Sequence, residues 1–126
     1  MKALILTIVA TALALSVCSA ALRAADLPPV EEKQIEELIA AIERVTDAAF
    51  IRNGRPYSAA AAAEFLRRKW QHRAADVRSV DDFIGKVASF SSTTGQPYLI
   101  RFSDGREIPC AAFLHTELDK LRKKEQ

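Results

Sequence analysis

The chain has 126 residues, with 18 Lys and Arg against 16 Asp and Glu, and 49% of its residues are hydrophobic. A chain of this length holds one small domain with a modest core. The near balance of charge excludes a general nucleic-acid or polyanion binder, and two cysteines exclude a disulfide framework of several bridges.

Met1-Lys2 carries one positive charge, and the run Ala3 to Val17 that follows has none. Small residues continue to Ala25, which completes the pattern of a secretory signal peptide over residues 1–25. The apolar run is shorter than the roughly 20 residues a membrane-spanning helix needs, so no stable membrane span is expected after cleavage. Cys18-Ser19-Ala20 and Ser19-Ala20-Ala21 both fit a small-x-small cut, whereas a cut after Ala24 or Ala25 leaves a tidy start at Asp26. Leu15-Ser16-Val17-Cys18 also invites a lipid anchor at Cys18, but Val17 is too large for the position before a lipidated cysteine, and this is the less favoured reading. Removing residues 1–25 takes away Lys2 and Arg23 and no acid, so 16 basic residues face 16 acids and the mature chain is neutral. The expected address is periplasmic or secreted. Cys110 is then the one cysteine left, unpaired in an oxidising compartment.

Residues 26–30 read as a short extended linker and residues 31–126 as a single globular domain. Ile35, Leu38, Ile39, Ile42 and Val45 form an apolar stripe at helical spacing, which predicts a first helix from Glu31 to Asp47. Its charged outer face reads as a solvated surface. Asn53-Gly54 marks a sharp chain reversal after Phe50-Ile51-Arg52, because both residues tolerate positive φ, and Pro56 pushes Arg55 towards an extended shape. Ser58 is a good N-cap for a second helix to about Arg73, propagated by the alanines at 59–63. Ala62, Phe65, Leu66, Lys69 and Trp70 share one face of it, with Lys69 expected to bury its stem and keep its ammonium in water.

Ser79 caps a third helix with Asp82 in a shortened capping box, and Val80, Phe83, Ile84 and Val87 form its buried stripe. Ser89 to Pro97 reads as a polar loop of the kind that carries binding groups. Tyr98 to Ile108 reads as the one convincing hairpin. A three-residue Ser103-Asp104-Gly105 loop would set Ile108 opposite Ile100, whereas a two-residue loop would set it opposite Arg101; pairing apolar with apolar favours the first. Phe50-Ile51-Arg52 is available as a third short strand. A fourth helix, Ala111 to Lys123, turns Leu114, Leu118 and Leu121 inward.

FIRNG at 50–54, followed by Tyr57, Ala62-Ala63, Leu66 and Lys69 and then by SSTTGQPYLIRFSDG at 91–105, resembles the YfeK-like family of small exported bacterial proteins, assigned to a domain of unknown function. The resemblance runs from about Glu31 to about Leu118. That family often carries a histidine just before the leucine that matches Leu66, and this chain has Phe65 there. The resemblance implies a class and an exported address, and lends no activity.

The parts of most enzyme classes are missing. His72 and His115 are the two histidines and no ligand pair has zinc spacing, so no metal and no cofactor is expected. There is no G-x-S-x-G, and Ser91-Ser92-Thr93-Thr94-Gly95 has no phosphate-loop lysine. Cys110 near the start of the fourth helix could be activated by the helix terminus, but five residues place His115 about 140° around the axis from it. A half-buried cysteine acting as a small apolar group is the simpler reading, and Cys110→Ser is expected to leave fold and function intact.

The sequence therefore predicts a mainly α protein, a compact bundle of about four helices with one small β-hairpin. Its leading function is a non-enzymatic binding or accessory module in the cell envelope, with an envelope protein or a small ligand as partner and no nucleic acid. The alternatives are a small envelope hydrolase or lyase using Cys110 or a loop serine, and a soluble inhibitor or chaperone. The ligand-binding candidates are Arg52, Asn53, Tyr57, Ser91, Ser92, Tyr98 and Arg101, with Arg67, Arg68 and Arg73 as further cations; no catalytic residue is assigned. Guanidinium and aromatic groups together suit carboxylates and sugars.

Overall fold

The Pro28-Pro29 pair starts a helix instead of merely preceding one. In the computed structural model, which describes residues 27–126, α1 spans Pro29–Glu43 with a proline at its first turn, where a missing N–H costs nothing. The expected leader over residues 1–25, its cleavage positions and Cys18 lie outside the described residues. Helix α1 begins inside the segment read as linker and stops short of the expected Asp47, because the chain there turns into a strand, β1, over Ala48–Arg52.

Asn53 and Gly54 then reverse the chain with φ of 52° and 76°. Two successive positive φ values make the tight two-residue connection whose twist matches paired strands. It joins β1 to β2, Arg55–Tyr57, with Phe50 opposite Tyr57 and Arg52 opposite Arg55. This second hairpin corrects the expectation of one. Pro56 cannot donate to a ladder, and β2 lies at the sheet edge, where the lost N–H is tolerated.

The hairpin of β3, Leu99–Phe102, and β4, Glu107–Pro109, has the three-residue loop, with Ile100 opposite Ile108 and Gly105 at φ 87°. Strand β1 pairs antiparallel with β3, Phe50 opposite Ile100, and fuses the two hairpins into a four-stranded sheet in the order β2-β1-β3-β4. The fold is still mainly helical, but its sheet is larger than the sequence suggested. A lone hairpin is marginal in water, and the second hairpin removes that problem.

Helix α2, Ala59–His72, starts at Ser58, whose hydroxyl accepts from the Ala61 N–H at 3.1 Å. Helix α3 begins at Val80 after Ser79, which accepts from the Asp82 N–H at 3.0 Å, and runs on through a wider π-helical turn over Phe83–Val87. The Val80 N–H at that start is held by Glu31 of α1 at 3.1 Å. Helix α4 spans Cys110–Lys124. The helices cover the sheet face that carries Phe50 and Ile100. Phe83, Ile35, Leu38, Ile39, Ile42, Leu114 and Leu118 are all but fully buried between them. Burying each such side chain is worth about 1.5–3 kcal/mol. Among the described residues no helix is long and apolar enough to cross a membrane.

Candidate functional site

Strand alternation decides which candidate residues can meet. Phe50 and Arg52 lie on one face of β1, and Ala49, paired with Arg101, lies on the other. Arg52 therefore sits on the helix-facing side and Arg101 on the opposite side, so these two candidates do not share one site. Arg101 instead pairs across the hairpin with Glu107 at 2.9 Å and is exposed. Arg67 is also diverted: its guanidinium lies 3.7 Å from Glu36 and 3.8 Å from Glu43 of α1.

The remaining candidates gather. Arg52 lies over the rings of Phe65, 4.1 Å from its centroid, and of Tyr57, 4.8 Å from its centroid, and donates to the Tyr57 hydroxyl at 3.1 Å. Phe65 meets Tyr98 edge to face at 5.8 Å. The Phe65 ring thus supports the Arg52 guanidinium on one side and packs on Tyr98 on the other. The Asn-Gly turn and the Ser/Thr loop touch directly, since the Thr94 hydroxyl donates to the Asn53 side-chain oxygen at 2.6 Å. Arg73, at the end of α2, reaches the Ser92 hydroxyl at 3.4 Å.

Ser91 has a different role from Ser92. It is buried, and its hydroxyl accepts from the Thr93 and Thr94 N–H groups at 3.3 and 3.4 Å, while its backbone closes the loop onto Gln96 and Gly95. Its lone pairs are spent on holding the loop closed, so it shapes the wall of the site, while Ser92 is exposed to solvent beside it.

Lys69 is the residue that sequence reasoning undervalued. It stands in the apolar stripe of α2, and that placement was the signal. Its stem is half-buried as expected, but its ammonium is also tied to the protein. It donates to the Phe90 carbonyl at 2.8 Å and to the Tyr98 hydroxyl at 2.9 Å. Partial burial, helped by the positive charge of Arg73 and Arg52, lowers its pKa from 10.5 to about 8. Burial also raises the Tyr98 phenol above its ordinary value, against the pull of Arg52.

Two hollows meet at these residues. The outer groove, about 540 Å³, runs past Arg52, Arg68, Lys69, His72 and Arg73 to the hydroxyls of Ser92 and Thr93, and no carboxylate is among its lining residues. Arg68 is partly neutralised by Glu64 at 3.4 Å and Arg73 by Asp76 at 3.0 Å. Arg52 and Lys69 have no carboxylate within 4 Å among the described residues. The second hollow is a mainly apolar notch of about 170 Å³ between β1 and α2, floored by Leu66, Ala62 and Cys110. Arg52, Phe65, Arg68 and Tyr98 belong to both.

Cys110 is 2% exposed, and burial pushes its thiol up to about 12. A thiol held protonated in this way is a poor nucleophile. Its backbone N–H donates to the Tyr98 carbonyl at 2.8 Å, which ties the start of α4 to the site.

Fold and site together define a small helical domain with a four-stranded antiparallel sheet, bearing a cationic, hydroxyl-rimmed groove beside an apolar notch. The chain belongs to a family of unknown function, DUF5329, whose profile matches residues 29–122. It is 37% identical over 68 residues to the uncharacterized protein YfeK of Salmonella typhimurium (strain LT2), an alignment that covers 54% of this chain and 57% of that protein. The matched stretch thus spans little more than half the length of that curated relative. No solved structure matches the chain.

Proposed function

We propose that this protein is an exported, non-enzymatic binding module of the cell envelope, and that its groove takes a small anionic ligand. The observation that supports this reading is the groove itself: Arg52, Arg68, Lys69 and Arg73 line it, hydroxyls rim it, and no acid is among its lining residues. Among the described residues two of those cations, Arg52 and Lys69, lack a carboxylate partner, so an incoming anion would meet charge not already satisfied there. Charge-assisted hydrogen bonds to such groups are roughly twice as strong as neutral ones. The neutral mature chain makes this a local field and not a general polyanion surface. A hydrolase or lyase built on Cys110 is disfavoured by the thiol's burial, and one built on Ser91 by the engagement of its hydroxyl within its own loop.

The test is a titration of the isotope-labelled mature protein with inorganic phosphate, followed by amide shifts. Saturable shifts centred on Arg52, Lys69 and the 91–94 loop, weakened in Arg52→Ala, are expected. Shifts spread evenly over all basic surface residues, or none that saturate, would remove the reading. Fractionation of a producing cell tests the address separately: the chain should be found outside the cytoplasm and shortened by about the length of a signal peptide.

A further inference from the structure

The apolar notch and the cationic groove are not independent features, because the Arg52 guanidinium serves both. It closes one end of the notch, where it lies over the Phe65 ring at 4.1 Å from the centroid, and it lines the groove that contains Lys69. A guanidinium carries five N–H donors; one goes to Tyr57, and among the described residues the others have no hydrogen-bond partner and can meet an anion. The notch below is lined by Phe50, Tyr57, Ala61, Ala62, Leu66 and Cys110, a mostly hydrocarbon surface. Glu64 at its rim is already matched with Arg68.

Size restricts what can enter. The notch holds about 170 Å³, close to the roughly 150 Å³ at which a hydrocarbon-lined cavity takes up benzene. One six-membered ring or a short branched alkyl group fits, and a fused ring system or a long acyl chain does not. From this continuity we infer that the two hollows form one bipartite site for a small amphipathic organic anion, its charged head held at Arg52 and Lys69 and its single-ring or branched-alkyl tail in the notch. This rests on the anion-binding reading above and adds to it the nature of the uncharged part. The tail supplies affinity that the head alone lacks, since displacing water from hydrocarbon surface is favourable and a solvated cation pair by itself binds simple anions weakly. It also explains why Cys110 is a buried, protonated thiol at the notch floor: in that position it is one more apolar contact.

The experiment compares three probes by calorimetry on the mature protein: acetate, 3-phenylpropionate and 3-phenylpropanol. Binding of 3-phenylpropionate at least tenfold tighter than acetate, and tighter than the uncharged alcohol by a similar factor, is expected. Ala61→Leu fills the notch from a half-buried helical position with little change in helix propensity. It should abolish the preference for the ring-bearing acid over acetate, whereas Arg52→Ala should weaken both acids. Equal affinity for acetate and 3-phenylpropionate would overturn the bipartite site and leave the anion groove standing. Equal affinity for 3-phenylpropionate and the alcohol would overturn it by showing that the head is not held. No saturable binding of any of the three would overturn both readings together.

Discussion

Lys69 ties the electrostatics of the groove to the stability of the fold, and Lys69→Met isolates that link. In the unfolded chain the ammonium has its ordinary pKa of 10.5, and in the folded protein about 8. Below pH 8 both states carry the proton, and the folded state bears the cost of a partly desolvated cation beside two arginines. As pH rises past 8 the folded state releases its proton first, while the unfolded chain still holds one. Stability therefore rises with pH from about 8 towards 10.5. Taken at face value the shift yields about 2 kcal/mol between pH 7.5 and 9.5, at about 1.36 kcal/mol per pKa unit. The residue is only half-buried, so solvent screens the interaction, and about 1 kcal/mol is the expected gain.

Cys110 acts with the opposite sign. Its folded pKa is raised, so above pH 9 the unfolded chain loses the thiol proton first and stability falls. Tyr98 does the same at still higher pH. Both residues are present in wild type and in Lys69→Met, so the difference between the two curves removes most of their contribution. The assay is urea unfolding followed by far-ultraviolet circular dichroism from pH 7.5 to 9.5. Wild type should gain about 1 kcal/mol relative to Lys69→Met across that range. Parallel curves would refute the claim that the ammonium is held at a cost.

Other consequences of the structure are equally direct. Ser58→Ala removes the α2 cap and should cost about 1 kcal/mol, lowering Tm by roughly 4–8 °C in thermal unfolding. Gly54→Ala forces a side chain onto a φ of 76° and should cost about 1 kcal/mol by denaturant titration. Leu38→Ala, at a fully buried position of α1, should cost about 2–5 kcal/mol. Burial changes what is expected of Cys110: Cys110→Ser places a hydroxyl among apolar groups and should cost about 1–3 kcal/mol, whereas Cys110→Ala is the mild substitution. In native wild type the thiol should react with a disulfide reagent only as fast as the protein opens, and a rate equal to that of a free cysteine would contradict its burial.

Features that depend on nearby residues could be read in the chain. The helices follow from apolar residues at helical spacing, and their starts from Ser58 and Ser79, because a cap acts within one turn of its own residue. The β3–β4 register followed from apolar pairing, since slipping by one residue exposes what should be buried. The contact between the Asn53 turn and the Thr94 loop could only be supposed, and it required β1 to lie beside β3.

Tertiary structure decided the remainder. Whether Pro56 could sit in a strand depended on β2 being at the edge, a property of the whole sheet. The separation of Arg52 from Arg101 came from the pairing of β1 with β3, which placed them on opposite faces. Lys69 lies in an apolar stripe that local reasoning treats as a stem with a solvated end; only the Phe90 carbonyl and the Tyr98 hydroxyl, brought in from a distant loop, hold its charge at the groove. Propensity, capping and hydrophobic period are set by neighbours a few residues apart. A binding surface is set by which faces of distant elements meet, and that depends on the packing of the whole chain.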